Sequence, residues 1–197
     1  MWCIDRDGIF KKGLEMTYFL FGDGGSRGNP GPAASGFAIF KAEKEPTGNL
    51  NYSADLEKLK QEVLALKSSG NLQKLLGKGV FLGNTTNNQA EWQSLIFGLQ
   101  AIFDLGKVDL DEDSLFDEEV QVKADSKAVQ VVVFLDSELV VKQSKGIYKV
   151  KNPDLKIHYL KLKELEKKFK KVAFIHIYRE FNKEADGLVN ETLDEQS

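Results

Sequence analysis

Residues Tyr18 to Phe40 read YFLFGDGGSRGNPGPAASGFAIF. The stretch opens on an apolar run, Tyr18-Phe19-Leu20-Phe21, with the aromatic bias of a buried strand. Asp23 follows. Gly24-Gly25-Ser26-Arg27-Gly28-Asn29-Pro30-Gly31-Pro32 then reads as a tight loop that excludes helix and strand. From Ala33 to Phe40 the chain is apolar again. The pattern predicts two antiparallel strands joined by a turn, with a carboxylate at the end of the first. A carboxylate buried among phenylalanines is costly without a cation beside it, and a metal ion is the obvious candidate. The loop suits an anionic ligand. Its glycines let the backbone approach closely, successive N–H groups can line an anion-binding concavity, and Arg27 adds a cation that fits phosphate. The simpler alternative is a hairpin turn with no ligand.

Outward from this stretch, Met16 to Phe21 is the first strand and Ala33 to Lys41 the second. In the segment Ala42 to Lys78, Leu56, Leu59, Val63 and Leu66 stand at helical spacing, with Ser53 or Asp55 as cap and Ser68-Ser69-Gly70-Asn71 as the stop. Leu72, Leu75 and Leu76 suggest a second short helical turn. The segment is expected to pack on the body of the domain. Gly79 to Thr86 reads as the third strand. Asn87 to Leu105 reads as a buried helix capped by Asn87 or Asn88, with Trp92 as a packing residue. Val129 to Leu135, VQVVVFL, is apolar at nearly every position, as a strand covered on both faces would be. A short helix from Glu138 to Lys142 and a longer one opened by Pro153 and Asp154 follow. Val172 to Tyr178 is the fifth strand, Arg179 to Lys183 a loop, and Glu184 to Leu193 the last helix. Antiparallel strands followed by alternating strands and helices predict an α/β fold, a mixed sheet with helices packed on it.

The chain has 197 residues, 42% of them hydrophobic, which suits one domain with insertions. We divide it into an N-terminal extension, residues 1–15, and a domain over 16–197 with insertions at about 42–78 and 106–127. No apolar run approaches the ~20 residues of a membrane span. Charges at Asp5, Arg6, Asp7, Lys11 and Lys12 interrupt the start, so no signal peptide is expected. The single Cys3 forbids an internal disulfide and leaves no cysteine cluster for zinc. A cytoplasmic protein without membrane contact is expected. The net charge of −3 is uneven. Eleven lysines stand against three acids between Lys142 and Lys171, and eight acids against one lysine between Asp104 and Glu119. One face is thus expected to attract phosphates and another to repel them, although a lysine run on a helix is ordinarily a solvated face. Asp109, Asp111 and Asp113 alternate like the start of a calcium loop. Ser114 and Val120 then occupy the positions that need a glycine and a glutamate, so the segment reads as a solvated connection.

Four acids stand where strands end or helices begin: Asp23, Glu91, Asp136 and Asp186. Strand ends and helix starts share one edge of such a sheet, so the four can converge. Together they repel and call for cations. Oxygen-only ligation suits Mg²⁺ or Mn²⁺, not zinc. Two such ions roughly 3.5–4 Å apart would hold both the attacking water and the leaving oxygen of an in-line phosphodiester displacement. Taken singly, Glu91 and Asp186 could be helix-dipole acids, Asp136 an N-cap and Asp23 a turn residue.

The blocks around these acids resemble the type 1 ribonuclease H family, which cuts the RNA strand of RNA–DNA hybrids. Asp23-Gly-Gly-Ser-Arg-Gly-Asn-Pro-Gly-Pro-Ala33 resembles its first motif and Thr85-Thr86-Asn87-Asn88-Gln89-Ala90-Glu91 its second. Phe134-Leu135-Asp136-Ser137 resembles the third, and Asn182 to Asn190 the fourth, an Asn-x-x-Ala-Asp stretch. All occur in family order. The resemblance implies a ribonuclease H-like fold, a five-stranded mixed sheet with helices packed on both faces. It implies an endonuclease using two Mg²⁺ ions, with Mn²⁺ possible, that leaves 5′-phosphate and 3′-hydroxyl ends. Asp23, Glu91, Asp136 and Asp186 would be the metal ligands, Asp23 bridging both ions. The backbone at Gly24 and Gly25, with Asn29, Asn88 and Gln89, falls where members contact the hybrid's sugars and phosphates. Thr86 falls near a DNA-side phosphate contact. Ser26, Arg27 and Arg179 complete the substrate-binding candidates. The partner is a hybrid and the chain is expected to be a monomer.

Two departures stand out. Many members carry a longer loop with a mobile histidine before the fourth acid. Here Arg179-Glu180-Phe181 is short and holds none, similar to the archaeal-like and reverse-transcriptase-like branch. Arg179 offers charge but cannot shuttle a proton. Glu138 stands where many members place a glutamine facing DNA phosphate. His176 reads as a packed strand residue. A non-catalytic or differently specific nucleic-acid-binding module on the same fold is the alternative.

Overall fold

The computed structural model describes residues 2–4, 10–12, 16–42, 56–111 and 129–196. Strands β1 (Trp2–Ile4) and β2 (Phe10–Lys12) pair antiparallel as a separate two-stranded sheet, for which the first fifteen residues show no periodic signal. The main sheet holds β3 (Thr17–Ser26), β4 (Gly31–Ala42), β5 (Leu72–Thr85), β6 (Gln130–Leu135) and β7 (Lys171–His176). Their spatial order is β5-β4-β3-β6-β7. β3, β4 and β5 run antiparallel, while β6 is parallel to β3 and β7 to β6. The helices are α1 (Leu56–Ser68), α2 (Asn87–Asp111), α3 (Glu138–Ser144), α4 (Pro153–Glu166) and α5 (Lys183–Asp194).

Side chains alternate across the sheet and build two cores. Tyr18 and Leu20 of β3 meet Trp92, Leu95 and Leu99 of α2, with α3 and α4 completing that face. Phe19 and Phe21 point the other way, where Phe40, Phe134 and Ile175 join Leu59 and Val63 of α1. α5 covers the same side through Val189 and Leu193 against Ala34. The expected mixed sheet with helices on both faces is what the chain forms. β6 is buried at all six positions, as its unbroken apolar run demands. Each fully buried aromatic or leucine side chain here contributes about 1.5–3 kcal/mol. Trp92 is fully buried, edge-on to Tyr159 at 6.1 Å, as expected of a packing residue.

Several expectations are corrected. Gly24, Gly25 and Ser26 are not loop: they continue β3 opposite Ser35, Ala34 and Ala33, leaving only residues 27–30 as the turn. Leu72, Leu75 and Leu76 form no helical turn; they belong to β5, which starts at Leu72 and pairs with the far end of β4. Register shifts at Ile39/Phe40 and Ala33/Ala34 interrupt the strict alternation that would have marked this strand. The cap of α2 is Thr86, not Asn87 or Asn88. Its Oγ1 accepts from Gln89 N at 3.3 Å while Gln89 Oε1 accepts from Thr86 N at 3.2 Å, a reciprocal capping box. α2 runs to Asp111, so the acidic segment begins as helix. The expected caps Ser53 and Asp55, the remainder of the acidic segment and Cys3's neighbours from Asp5 to Ile9 lie outside the described residues. α1 ends as expected, with Asn71 N donating to the Leu66 carbonyl at 2.9 Å. No helix among the described residues is long and apolar enough to cross a membrane.

Candidate active site

The pairing between β3 and β6 stops at Phe21 and Phe134. Asp23 lies two residues past that point and Asp136 directly follows β6, so both emerge at the same edge. Two close backbone approaches bring the other acids there. A Cβ at Gly24 would lie 2.1 Å from Glu91 N and 2.2 Å from Ala90 C, so the first turn of α2 rests directly on β3. A Cβ at Gly36, the partner of Asp23 across the ladder, would lie 2.4 Å from the Ala185 carbonyl, so the first turn of α5 rests on β4. Ser35 Oγ donates to the Ala90 carbonyl at 2.7 Å and fixes α2 further. Glu91 and Asp186 thus arrive from opposite faces of the sheet.

All four acids line one cleft of about 280 Å³. Gly24, Gly25, Ser26, Arg27 and Arg179 of the expected binding set line it too. Asn29, Thr86, Asn88 and Gln89 are not part of its lining; they form an adjoining ledge. There Asn29 Oδ1 accepts from Asn87 N at 3.2 Å, and Thr86 and Gln89 are locked in the capping box. Arg27 reaches along the cleft to the end of α5, donating to the Leu193 carbonyl at 3.3 Å and pairing with Asp194.

Among the described residues no three acids close into a ready-made ligand cage. Each carboxylate is held by a donor of its own. Glu91 accepts from Ser137 Oγ at 2.8 Å and from Asn87 Nδ2 at 3.2 Å. Asp136 accepts from Asn182 Nδ2 at 3.2 Å, and Asn182 also donates to the Gly22 carbonyl at 2.9 Å. Asp186 pairs with Arg179 and accepts from Asn190 Nδ2 at 3.1 Å. Asp23 takes the amide of Gly24 at 2.8 Å. Like charges in a small volume separate unless cations draw them together.

The electrostatics agree. Burial, followed by repulsion from Asp136, Asp186 and Glu91, pushes Asp23 up to about 7 against the pull of the Gly24 amide. Burial, then repulsion from Asp136, pushes Glu91 up to about 7, while the Ser137 and Asn87 hydrogen bonds work the other way. An all-carboxylate donor set fits a hard divalent cation. Arg179 is raised further above its ordinary range by its hydrogen bond to Asp186.

Asn87, Ser137, Asn182 and Asn190 were not among the site residues expected from the sequence. All four lie inside or beside the motif blocks, and only side-chain contacts reveal what they hold. His176 sits half-buried in β7 with Nε2 3.2 Å from the Asp136 carbonyl, consistent with a packed residue. Glu138 Oε1 lies 2.7 Å from Lys142 Nζ one turn on, an exposed pair that offsets part of the charge it would present to a phosphate.

Known proteins resemble this chain in sequence and in fold. The family described as reverse transcriptase-like matches residues 120–192. Ribonuclease HI of Halobacterium salinarum is 31% identical over 183 residues, 93% of this chain and 66% of its own. The bifunctional protein Rv2228c of Mycobacterium tuberculosis is 31% identical over 179 residues; the chain spans 36% of that relative's length. The crystal structure of LC11-RNase H1 in complex with RNA/DNA hybrid superposes with a TM-score of 0.61 at 32% identity, covering 91% of this chain and 98% of that one. On these likenesses the chain belongs to the type 1 ribonuclease H family.

Proposed function

We propose that the chain is an endonuclease that hydrolyses the RNA strand of RNA–DNA hybrids with divalent cations, leaving 5′-phosphate and 3′-hydroxyl ends. The observation that carries this reading is the convergence of Asp23, Glu91, Asp136 and Asp186 on one cleft, two of them pushed up to about 7. Family membership supports it, as does a relative crystallised with a hybrid.

The four carboxylates would hold two Mg²⁺ ions, or Mn²⁺. Such ions supply charge neutralisation and Lewis acidity for in-line displacement at phosphorus. The remaining work falls to the chain. Ser137 and Asn87 orient Glu91, and Asn182 orients Asp136. The backbone of Gly24 and Gly25, with Ser26, forms the cleft floor against which the RNA strand lies. The ledge of Asn29, Thr86, Asn88 and Gln89 reads the A-like shape and the 2′-hydroxyls rather than base sequence. Arg179, exposed at the mouth, stabilises charge developing on the phosphate. The same reading takes the protein to act as a monomer in the cytoplasm.

The test is cleavage of a labelled RNA–DNA hybrid with Mg²⁺ or Mn²⁺, beside single-stranded RNA, RNA duplex and DNA duplex, with Asp136→Asn as control. Metal-dependent cutting of only the RNA strand of the hybrid, lowered at least ~10³-fold in the variant, is expected. Retained hybrid binding without cutting in either ion would replace this reading with a non-catalytic binding module.

A further inference from the structure

α1 carries none of the four acids and does not line the cleft, yet it and the start of β5 hold the cleft's far wall. Lys67, in the last turn of α1, places Nζ 3.7 Å from the ring centroid of Phe21 and 5.2 Å from that of Phe40. The same Nζ lies 3.8 Å from Glu184 Oε2. The other oxygen of Glu184 is taken by Lys74 of β5, at 2.6 Å. Phe21 stands two residues before Asp23, and Glu184 two residues before Asp186. One side chain therefore touches the chain just ahead of two of the four acids. The contact is well shielded, with the Lys67 side chain only 19% exposed. Burial holds Lys67 below its ordinary value, and Glu184 offsets part of that pull. A second contact lies ahead of α5: Lys60 Nζ sits 5.7 Å from the ring centroid of Tyr178, the residue before Arg179.

This arrangement does not serve α5 as a helix. Two lysines beside a helix N-terminus oppose its dipole. On an α-helix, residues two apart point about 200° away from each other, so Glu184 faces α1 while Asp186 faces the cleft. A hold on Glu184 from behind fixes the roll of that first turn, and with it where Asp186 stands relative to Asp23.

We propose that Lys67, Lys74 and Glu184 are positioning residues that set the separation of Asp186 from Asp23 and thereby the affinity of the cleft for divalent cations. The proposal rests on the reading that these acids hold such ions. It assigns α1 and the start of β5 a part in metal binding, from outside the cleft.

The experiment is calorimetric titration of the full chain with Mn²⁺, in the absence of nucleic acid, with thermal denaturation in EDTA measured in parallel. Glu184→Gln and Lys74→Met are expected to weaken Mn²⁺ binding roughly 10-fold, the scale on which partners of metal ligands act. Lys74→Arg, which keeps the charge, is expected to bind like wild type. So is Glu164→Gln, which breaks an exposed pair with Lys167 on α4. The metal-free melting temperature of the two weakened variants should stay within a few degrees of wild type. Wild-type affinity in Glu184→Gln and Lys74→Met overturns the proposal. So does a loss that Lys74→Arg shares, because packing rather than charge would then be responsible. Asp186→Asn separates the two claims. If it binds Mn²⁺ as wild type does, the metal-ligand reading itself fails; if it binds more weakly while Glu184→Gln is unaffected, only the positioning role fails.

Discussion

Ser137 Oγ donates to Glu91 Oε2 at 2.8 Å, joining the residue after Asp136 to the N-terminal part of α2 across 46 positions of sequence. The bond favours the ionised form of a carboxylate that burial pushes up to about 7. Removing it releases Glu91 in orientation and in charge. Ser137→Ala should lower hybrid cleavage about 10-fold, the worth of one hydrogen bond to a charged group. The acid limb of its pH–rate profile should move to higher pH. A profile that superposes on wild type would show that Glu91 is held by Asn87 alone.

Asn182 is fully buried and spans Gly22 on β3 and Asp136 after β6. Asn182→Ala leaves the Gly22 carbonyl without its side-chain donor and frees Asp136. A loss of about 1–3 kcal/mol in stability is expected from that unpaired group. Activity should fall further than stability, because Asp136 reorients. Chemical denaturation and hybrid cleavage on the same variant check both parts.

The sheet was legible where one physical signal dominated. The apolar run before Asp23 and the one from Val129 to Leu135 mark buried strands in any fold with a covered sheet. The four acids were legible because strand ends and helix starts fall on one edge. The extent of β3 and β5 was not. Gly24 and Gly25 look like turn residues in isolation; within β3, the missing Cβ of Gly24 lets the α2 backbone sit on the strand. Leu72, Leu75 and Leu76 have helical spacing, and the interrupted register of a long strand against β4 imitates it. Asn182 and Ser137 were in view within their motifs, but the carboxylates they hold lie 46 residues away in each case.

Asp23 and Glu91 give the metal-free protein a stability that falls as pH rises. Both bind their protons more tightly when folded, at about 7, than at their ordinary values of 3.8 and 4.5. Their contribution is fully present below about pH 4 and is lost as pH climbs through about 7. Asp23→Asn removes one of the two charges. In EDTA the variant's stability relative to wild type should rise by on the order of 2 kcal/mol, or about 5 °C in melting temperature, between pH 5 and pH 8. Saturating Mn²⁺ at pH 8 should reverse that gain, since the ion stabilises the chain that binds it. A wild type whose melting temperature ignores both pH and Mn²⁺ in this range would contradict the strained-carboxylate account.

Gly24 and Gly36 seat the two helices that bring Glu91 and Asp186, one on each face of the sheet. At Gly24 a methyl group would meet Glu91 N at 2.1 Å, and at Gly36 the Ala185 carbonyl at 2.4 Å. Both obstacles are backbone, so no side chain can swing aside, and the helix start itself must move. Overpacking of this kind costs about 1–3 kcal/mol. The larger effect should be on rate, because a shift near 1 Å in a catalytic group can cost about 10²-fold. Gly24→Ala should displace Glu91 and Gly36→Ala should displace Asp186, each cutting hybrid cleavage about 100-fold while the protein still melts cooperatively. Gly187→Ala is the control. It lies beside Asp186 on α5 with nothing within 4 Å of the new methyl group, and alanine favours the helix. It should keep wild-type cleavage and gain up to about 1 kcal/mol in stability. Full cleavage by Gly24→Ala would mean that α2 can lift from β3 without carrying Glu91 out of reach, and the close approach at that glycine would then have only a packing role.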